Sequence, residues 1–323
     1  MFEISVVVPT RNRAKNLEGF LESLTKQTVT SDIYEVLVID NGSTDETEKV
    51  CLEWKGKIKN FKYIYDNNPG LHVGRNRGYQ ESSAEYIIFA DDDICVQPEW
   101  IETILGGFRK YKDVVLIGGD VIPCYEEEPP KWVKELWIEN TDVKMLLDYS
   151  CILFGGHERE INPYYVFGCN FAVRKSILDE TRGFHPDGMP ADLLQFRGDG
   201  ESYVSRYIMD NKLKAYYLPG ASVYHIVSKA RMNIEYIKKI AFRNGVSEAY
   251  TILRNYSWVK LKIHIIREKI NCNRSDVMSL SELKTKEYVR GMEFLMKEYE
   301  KKEIKEWIKR PDYLGGNGIV YKR

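Results

Sequence analysis

The chain has 323 residues, of which 43% are hydrophobic and 29% are charged, with a formal net charge of −1. This composition is ordinary for a globular protein and excludes a chain that is disordered through high net charge. No apolar run approaches the length of a membrane span, and the N-terminus lacks a basic-then-apolar signal pattern. Six scattered cysteines without CxxC spacing favour neither a zinc site nor a disulfide framework, so a reduced cytoplasmic setting is expected.

Charge is distributed unevenly along the chain. From Lys229 to the end there are 22 basic and 12 acidic residues, whereas the preceding part has 25 basic and 36 acidic residues. The chain is also long for one simple core. We therefore predict a first domain of residues 1–228 and a basic, helical C-terminal extension of residues 229–323.

Strand and helix patterns alternate through the first part of the chain. Apolar, mostly β-branched runs predict four strands, over residues 4–8, 35–39, 61–65 and 86–90. Helical spacing predicts helices between them, over residues 14–26, over residues 44–54 with Ser43 or Thr44 as the cap, and after residues 74–78. The alternation predicts an α/β fold with a mostly parallel central sheet and flanking helices.

Three consecutive carboxylates, Asp91-Asp92-Asp93, directly follow the strand over residues 86–90. Adjacent anions repel one another and call for a cation, and hard oxygen ligands suit Mg²⁺ or Mn²⁺ with a phosphate-bearing ligand completing the shell. The alternative is an acidic, solvated turn. Ligands of parallel sheets bind beyond the carboxyl ends of the strands. Polar residues that follow two other strands should reach the same edge, which favours a site: Thr10, Arg11 and Asp40.

Two common nucleotide-binding motifs are missing. The first strand is followed by Pro9-Thr10-Arg11-Asn12 instead of GxGxxG, which argues against a dinucleotide-binding Rossmann site. The sequence also contains no GxxxxGK[ST] motif, which argues against a P-loop ATPase.

Four blocks in this order and spacing resemble the motifs of a family 2 glycosyltransferase with the GT-A fold. They are ISVVVPTRNR at residues 4–13, VIDNGSTDET at 38–47, GRNRG at 74–78 and FADDD at 89–93. Each block is degenerate alone, but the set is specific, and the resemblance covers about the first two-thirds of the chain. It implies a GT-A fold and the transfer of a sugar from a nucleotide sugar.

The resemblance also implies roles for individual residues on the donor side. Pro9, Thr10 and Arg11 would line the nucleotide pocket, and Asp40 would bind the base, usually uracil, although it could simply form a turn. Arg75 would lie near the diphosphate or ribose, or else be a solvated charge at a helix start. Asp91 and Asp92 would contact ribose and metal, and Asp93 would be the direct metal ligand.

Further blocks resemble the acceptor side of the family. Residues 164–172 are similar to a strand near the donor sugar, so Asn170 would contact a sugar hydroxyl. Gly198-Asp199-Gly200-Glu201 resembles the acidic motif, but Gly200 separates two acids that are usually adjacent. The base would be Asp199 or Glu201, and we favour Glu201 because Gly200 permits the turn that presents it. A helix-start charge is the alternative role for the other acid.

His225 matches a family histidine that binds the metal or the diphosphate, although a lone histidine is more often structural. We therefore predict Asp93, Asp91 and His225 as metal ligands, with Arg231 near a phosphate. After Lys229 the pattern is helical, and basic amphipathic helices can lie on anionic membrane, pack on the sheet or form a homo-oligomer. We favour packing and oligomer contacts because no helix shows a one-sided apolar stripe.

The expected function is inverting transfer of a sugar, from a UDP-sugar or a related donor, to an acceptor hydroxyl with Mn²⁺ or Mg²⁺. The acceptor would be a sugar or a lipid-linked glycan of a bacterial surface polysaccharide, met in the cytoplasm or at the inner face of the membrane. No nucleic-acid partner is expected. The alternatives are a catalytically inactive nucleotide-sugar-binding or scaffold protein, and a nucleotidyltransferase, for which a basic glycine-rich loop is missing.

Overall fold

The computed structural model describes residues 2–272 and 279–315, so residues 273–278 and 316–323 of the predicted extension lie outside the described residues. The strands are Ile4–Thr10 (β1), Tyr34–Asp40 (β2), Phe61–Tyr65 (β3), Tyr86–Ala90 (β4), Ile94–Val96 (β5), Val114–Gly118 (β6), Val121–Tyr125 (β7), Ile138–Glu139 (β8), Lys144–Leu146 (β9), Cys151–Leu153 (β10), Arg159–Ile161 (β11), Asn170–Arg174 (β12), Lys214–Tyr217 (β13) and Val223–Val227 (β14).

The helices flank the strands in the first part of the chain and follow one another in the last part. They are Ala14–Leu24 (α1), Thr47–Trp54 (α2), Leu71–Glu81 (α3), Trp100–Lys110 (α4), Lys131–Lys134 (α5), Lys175–Thr181 (α6), Glu201–Asp210 (α7), Ile234–Asn255 (α8), Trp258–Cys272 (α9), Leu280–Glu298 (α10) and Lys302–Ile308 (α11).

The central sheet has the strand order β11-β13-β6-β12-β4-β1-β2-β3. The pairs β4·β1, β1·β2, β2·β3 and β6·β13 are parallel, whereas β12 is antiparallel to both of its neighbours. Strands β1, β2 and β4 are buried along their whole length because helices cover both faces of the sheet. The predicted α/β fold with a mostly parallel central sheet is confirmed.

Helix α3 packs unusually close to β1. An added Cβ atom would lie 2.1 Å from Val7 Cγ1 at Gly78 and 2.6 Å from Pro9 Cβ at Gly74. The spacing of four places both glycines on one face of the helix, so that this face can approach the strand. This packing positions Arg75, which follows Gly74, under the carboxyl end of the sheet.

A second sheet, which the sequence patterns do not predict, has the order β5-β14-β7-β10-β9-β8. Its strands are two to five residues long, too short for a clear alternation of apolar and polar residues. Antiparallel pairing of β14 with β5 places His225 opposite Ile94, directly after the three aspartates. This sheet therefore brings His225 to the edge where the aspartates lie.

The predicted cap of the second helix is wrong. Helix α2 begins at Thr47, whose backbone N–H donates to Asp45 Oδ1 at 3.1 Å. Ser43 Oγ instead accepts from the Asn12 N–H at 2.9 Å, and the Thr44 N–H donates to Asn12 Oδ1 at 2.7 Å. These residues thus join the loop after β1 to the loop after β2.

Helices α8 to α11 share a hydrophobic core with the loop that precedes α7. Met189 and Phe196 from that loop pack against side chains of α8, α9, α10 and α11. Trp307 Nε1 donates to the Phe196 carbonyl at 2.9 Å, and the Tyr250 and Tyr313 hydroxyls are 2.8 Å apart. Within residues 2–272 and 279–315, no helix is long and apolar enough to cross a membrane.

Because of this shared core, Trp307→Ala should destabilise the whole protein. The side chain is buried and its removal leaves a cavity, so we expect a loss of about 3–5 kcal/mol in the free energy of unfolding. Urea unfolding followed by far-UV circular dichroism should show a single shifted transition, and the exposed-site control Leu52→Ala should change stability by less than about 0.5 kcal/mol. Two transitions, of which only one moves, would instead make the helices an independent unit.

Candidate active site

A buried arginine lies beneath the carboxyl end of the central sheet. The Arg75 side chain is 3% exposed, and its Nη1 donates to Glu201 Oε2 at 3.0 Å. Its Nη2 lies 3.5 Å from Asp91 Oδ1, and its Nη1 lies 3.9 Å from Asp187 Oδ2. Gly168 leaves room for the guanidinium, since a Cβ atom there would lie 2.2 Å from Nη2. Burial alone would lower the pKa of Arg75, but these carboxylates outweigh it and raise the pKa.

The second and third aspartates of the triplet share arginine partners. Asp92 accepts from Thr10 Oγ1 at 2.7 Å and lies 3.1 Å from Arg13 Nε. Asp93 Oδ2 accepts from Arg13 Nη2 at 2.6 Å and from Arg231 Nη2 at 2.8 Å. The cations that three adjacent carboxylates require are therefore supplied in part by the chain itself.

His225 faces the same carboxylate. Its Nε2 lies 3.4 Å from Asp93 Oδ1, and its Nδ1 lies 3.8 Å from Cys151 Sγ. The Ile226 N–H donates to the Asp93 carbonyl at 2.9 Å. This hydrogen bond fixes β14 against the backbone of the triplet. The backbone pairing of β14 therefore brings His225 beside Asp93, and its predicted role as a metal ligand stays a prediction.

Neighbouring carboxyl groups of the triplet titrate differently. Burial raises the pKa of Asp92 to about 7, although the charge of Arg13 opposes this. Burial would also raise the pKa of Asp93, but His225, Arg13 and Arg231 hold that pKa well below its usual range. Asp93 is therefore ionised at neutral pH, whereas the pKa of Asp92 lies close to neutral pH.

The predicted metal ligands have suitable chemistry but do not form a complete cage. Carboxylate oxygens of Asp91 and Asp93 and an imidazole nitrogen of His225 are donors that Mn²⁺ and Mg²⁺ accept. Asp93 is ionised, as a ligand must be. Within the described part of the chain, no three His, Cys, Asp or Glu side chains are arranged to hold an ion by themselves. A cation here would need oxygen atoms of a bound ligand in its shell.

A cavity of about 340 Å³ opens beside the aspartates. Its wall comprises the end of β1 and the loop after it, the residue after β2, the first residue of α3, the start of the triplet, the loop before α7 and one side chain of α8: Pro9, Thr10, Arg11, Arg13, Asn41, Leu71, Asp91, Asp92, Gly188, Met189, Pro190 and Arg243. The predicted pocket residues Pro9, Thr10 and Arg11 therefore lie together with Asp91 and Asp92.

Arg243 is the contribution of α8 to this cavity. It is partly buried, and no ion pair joins it to a carboxylate among the residues that the structure describes. Burial and the charge of Arg197 lower the pKa of Arg243. Together with Arg11 and Arg13, it gives the wall three guanidinium groups against the two carboxyl groups of Asp91 and Asp92. This surplus of positive charge suits an anionic ligand, and we call the space the basic cavity.

Asp40 lies beside this cavity with both carboxylate oxygens in use. Oδ1 accepts from the Ser43 N–H at 2.8 Å, and Oδ2 accepts from the Tyr63 hydroxyl at 2.8 Å. Its neighbour Asn41 is the residue of this loop that lines the cavity. The predicted contact of Asp40 with a nucleotide base stays a prediction.

Asn170 at the start of β12 is also fully engaged. Its Nδ2 donates to the Ala221 carbonyl at 2.8 Å, and its Oδ1 accepts from Trp100 Nε1 at 3.1 Å. The side chain therefore joins the central sheet to α4 and to the turn before β14. Its predicted contact with a sugar hydroxyl stays a prediction.

The Asp199 carboxylate accepts three hydrogen bonds from other side chains of the chain. Its side chain is 5% exposed and accepts from His185 Nδ1 at 2.7 Å, Arg206 Nη2 at 2.8 Å and Thr251 Oγ1 at 3.0 Å. Burial would raise the pKa of Asp199, but the hydrogen bond from His185 and the charge of Arg206 lower it overall. Through Thr251 this carboxylate holds α8 against the start of α7.

Glu201 is the more accessible of the two candidate bases. It begins α7 after Gly200, which has φ +51°, and its side chain is 27% exposed. Its Oε2 accepts from Arg75 and its Oε1 accepts from the Gly168 N–H at 3.2 Å. It lies on the wall of a second cavity of about 560 Å³. Because the helix starts between them, the two acids diverge, as expected for this spacing.

The sequence patterns assign no role to four residues of this region: Arg13, Asp187, His185 and Arg243. Their partners are far apart along the chain, and Arg13 and Asp93 are separated by 80 residues. The only signal was the basic turn at residues 10–13, which could have indicated Arg13. Nothing in the helical pattern of α8 distinguishes Arg243 from the other basic residues of the extension.

The family model for Glycosyl transferase family 2 matches residues 5–182, more than half of the chain. The chain belongs to glycosyl transferase family 2. The matched part contains the triplet, Arg75 and Asn170, whereas Asp199, Glu201 and His225 lie beyond it.

Individual proteins are also similar to this chain. A glucosyl-dolichyl phosphate glucuronosyltransferase of Haloferax volcanii is 25% identical over 186 residues, which are 56% of each chain. The chain thus spans about half the length of this relative. Staphylococcus aureus TarS 1–349, solved with UDP-GlcNAc, matches 75% of this chain and 66% of its own, with TM-score 0.53 and 17% identity.

A mannosyltransferase of Pyrobaculum calidifontis, solved with GDP-Man and Mn²⁺, matches 91% of this chain and 72% of its own, with TM-score 0.54 and 14% identity. At such identities the two solved structures establish the fold alone. The family 2 chain therefore has a GT-A-like α/β fold with helices at its C-terminal end.

Gly200→Ala should disturb this site. The positive φ of Gly200 favours glycine, and an added Cβ atom would lie 2.9 Å from Asp187 Oδ2. We expect a loss of about 1–3 kcal/mol in the free energy of unfolding, measured with urea. In the control Gly19→Ala the new Cβ meets no atom within 4 Å, and the helix should gain up to about 1 kcal/mol. Wild-type stability of Gly200→Ala would contradict the strain argument.

Proposed function

We propose that this chain is an inverting glycosyltransferase that moves a sugar from a nucleotide diphosphate sugar to an acceptor hydroxyl. The main supporting observation is that one buried cation, Arg75, pairs with both Asp91 and Glu201. Asp91 lines the basic cavity, and Glu201 lines the second cavity. A donor bound in the first and an acceptor bound in the second would meet beside Arg75.

The basic cavity is proposed as the donor site. Its volume of about 340 Å³ is within the usual range for small-ligand pockets. The guanidinium groups of Arg11, Arg13 and Arg243 would bind the two phosphates by charge-assisted hydrogen bonds. We propose a UDP-sugar as the donor, which the likeness to a protein solved with UDP-GlcNAc supports.

We further propose that Asp91, Asp93 and His225 would hold a divalent cation, Mn²⁺ or Mg²⁺, together with diphosphate oxygens. When bound, the ion would neutralise charge that develops on the diphosphate leaving group. Within the chain, His225 and Arg231 keep Asp93 ionised and fix its orientation. The likeness to a mannosyltransferase solved with Mn²⁺ supports this assignment.

Glu201 is the proposed general base. It would take the proton of the acceptor hydroxyl as that oxygen attacks the anomeric carbon, and direct displacement inverts the configuration there. Arg75 and the Gly168 N–H hold the two Glu201 oxygens while part of the carboxylate stays exposed to the second cavity. Asp199, whose oxygens accept from His185, Arg206 and Thr251, is proposed as a positioning residue.

We propose a lipid-linked glycan of a surface polysaccharide as the acceptor, modified in the cytoplasm at the inner face of the membrane. The name of the Haloferax relative, which refers to a glucosyl-dolichyl phosphate, supports this class. Aromatic side chains on the wall of the second cavity can pack against sugar faces, namely Tyr164, Tyr236 and Tyr288.

Nucleotide-sugar binding tests the proposal directly. In thermal-shift assays a UDP-sugar should raise the melting temperature, and Mn²⁺ should enlarge the rise, because a ligand that binds the folded state stabilises it. Asp93→Asn should keep the fold but lose the Mn²⁺-dependent part of the rise. The control Asp113→Asn, at an exposed carboxylate paired with Lys214, should behave as the wild type.

A Mn²⁺-dependent rise of normal size in Asp93→Asn would show that Asp93 is not a ligand. If neither UDP-sugars nor GDP-sugars shift the wild-type melting temperature, the donor site itself is wrong. UDP-sugar binding without turnover for any acceptor would indicate the inactive, binding-only alternative.

Glu201→Gln should reduce turnover by about 10²–10⁴-fold while the donor Kd stays nearly unchanged, because the proton acceptor is lost but the donor contacts remain. Asp199→Asn should lower turnover less and lower the melting temperature, because it weakens the contacts with His185 and Arg206. Turnover and donor Kd of both variants decide the assignment. The opposite ranking would make Asp199 the base.

A further inference from the structure

Helix α9 has a buried apolar face and a second, exposed apolar face. Leu261 and Ile265 are buried against the neighbouring helices. On the other side, Val259, Ile263, Ile266 and Ile270 are between 47% and 59% exposed. Because both faces are apolar, the sequence alone shows no one-sided stripe, and the structure is needed to separate the two faces.

The exposed residues form one continuous stripe. Their spacing of four, three and four residues places them within roughly 60° of the helix circumference, at about 100° per residue. We define the α9 stripe as Val259, Ile263, Ile266 and Ile270. Near the N-terminal end of α9 two amphipathic rings are also exposed, Trp258 by 39% and Tyr256 by 60%.

Basic side chains border the α9 stripe along both of its sides. By helix geometry, Lys260 and Arg267 lie on one side and Lys262 and Lys269 on the other. All four are exposed. Lys269 also pairs with Glu293 of α10, while Lys260 lies over the ring of Tyr256. From Trp258 to Ile270 the only acidic residue is Glu268.

We propose that α9 docks this chain on an anionic lipid surface and lies in its plane. The α9 stripe would insert between headgroups, and the long basic side chains on both sides would reach lipid phosphates while their stems follow the apolar boundary. Trp258 and Tyr256 would sit at headgroup level. The helix lies parallel to the surface, in agreement with the finding that none of the described helices can span a membrane.

Charge complementarity favours lipid over a second copy of the chain. In a two-fold pairing of α9 with itself, the same patch faces itself, so the lysines and Arg267 of one copy would meet those of the other. Like charges opposed in this way repel. An anionic headgroup layer instead offers opposite charge along both sides of the stripe. The inference depends on α9 alone and is independent of the proposed catalytic function.

The full chain should therefore co-sediment with vesicles of phosphatidylcholine mixed with phosphatidylglycerol, and much less with phosphatidylcholine alone. Ile263→Gln with Ile266→Gln should reduce the partition coefficient at least about tenfold without lowering the melting temperature, since both side chains are exposed. The control Leu52→Gln, at an exposed apolar residue on α2, should bind as the wild type.

The double variant Lys262→Gln with Arg267→Gln tests the role of charge and should weaken vesicle binding about fivefold for each charge removed. Added salt should also weaken the binding of the wild type. Equal binding by the stripe variant and the Leu52→Gln control would overturn the proposal. So would light scattering that shows a wild-type dimer which the stripe variant converts to monomer, because a second copy would then cover the stripe. Absence of binding to any anionic vesicle would overturn it as well.

Discussion

The arrangement of this site depends on one buried cation. Arg75 lies in the interior, where an unpaired guanidinium would cost several kcal/mol, and three carboxylates from separate parts of the chain surround it. Asp91 follows β4, Asp187 belongs to the loop before α7, and Glu201 begins α7. A rearrangement that moves one of these segments away would leave the buried Arg75 without one of its carboxylate partners, and would therefore cost free energy. Gly74, Gly78 and Gly168 provide the space that lets the arginine reach this position.

The sequence predicts the first half of the fold well because its signals are local. The third and fourth strands were predicted with the bounds that the structure has, since buried parallel strands are continuous apolar runs that end at polar turns. The second sheet is not predicted from the sequence because its strands are short and partly exposed. Helix α3 begins before the predicted block, at Leu71, because Gly70 with φ +116° starts it.

The site, like the fold, is predictable where its sequence signals are local and not where they depend on distant parts of the chain. The triplet and the loop after β1 are visible in the sequence because adjacent charges after a strand are a local pattern, and the structure brings them together around one cavity. The expectation that Glu201 rather than Asp199 is the base has one local signal, Gly200. The contacts that distinguish the two acids in the structure are made by His185, Arg206, Thr251 and Arg75, which come from four different parts of the chain. Such contacts arise only when the chain is folded.

The contrast between an acidic front and a basic tail now has a structural explanation. Arg231 pairs with Asp93, and Lys284 of α10 pairs with the buried carboxylate of Asp148 at 2.6 Å, so part of the positive charge neutralises acids that precede residue 229. Pairs with a buried partner are screened less by solvent than exposed ones. Arg243 adds positive charge to the basic cavity, and α9 carries four exposed basic residues. The basic residues after residue 228 therefore contribute both to the charge balance beside the triplet and to the charge of the protein surface.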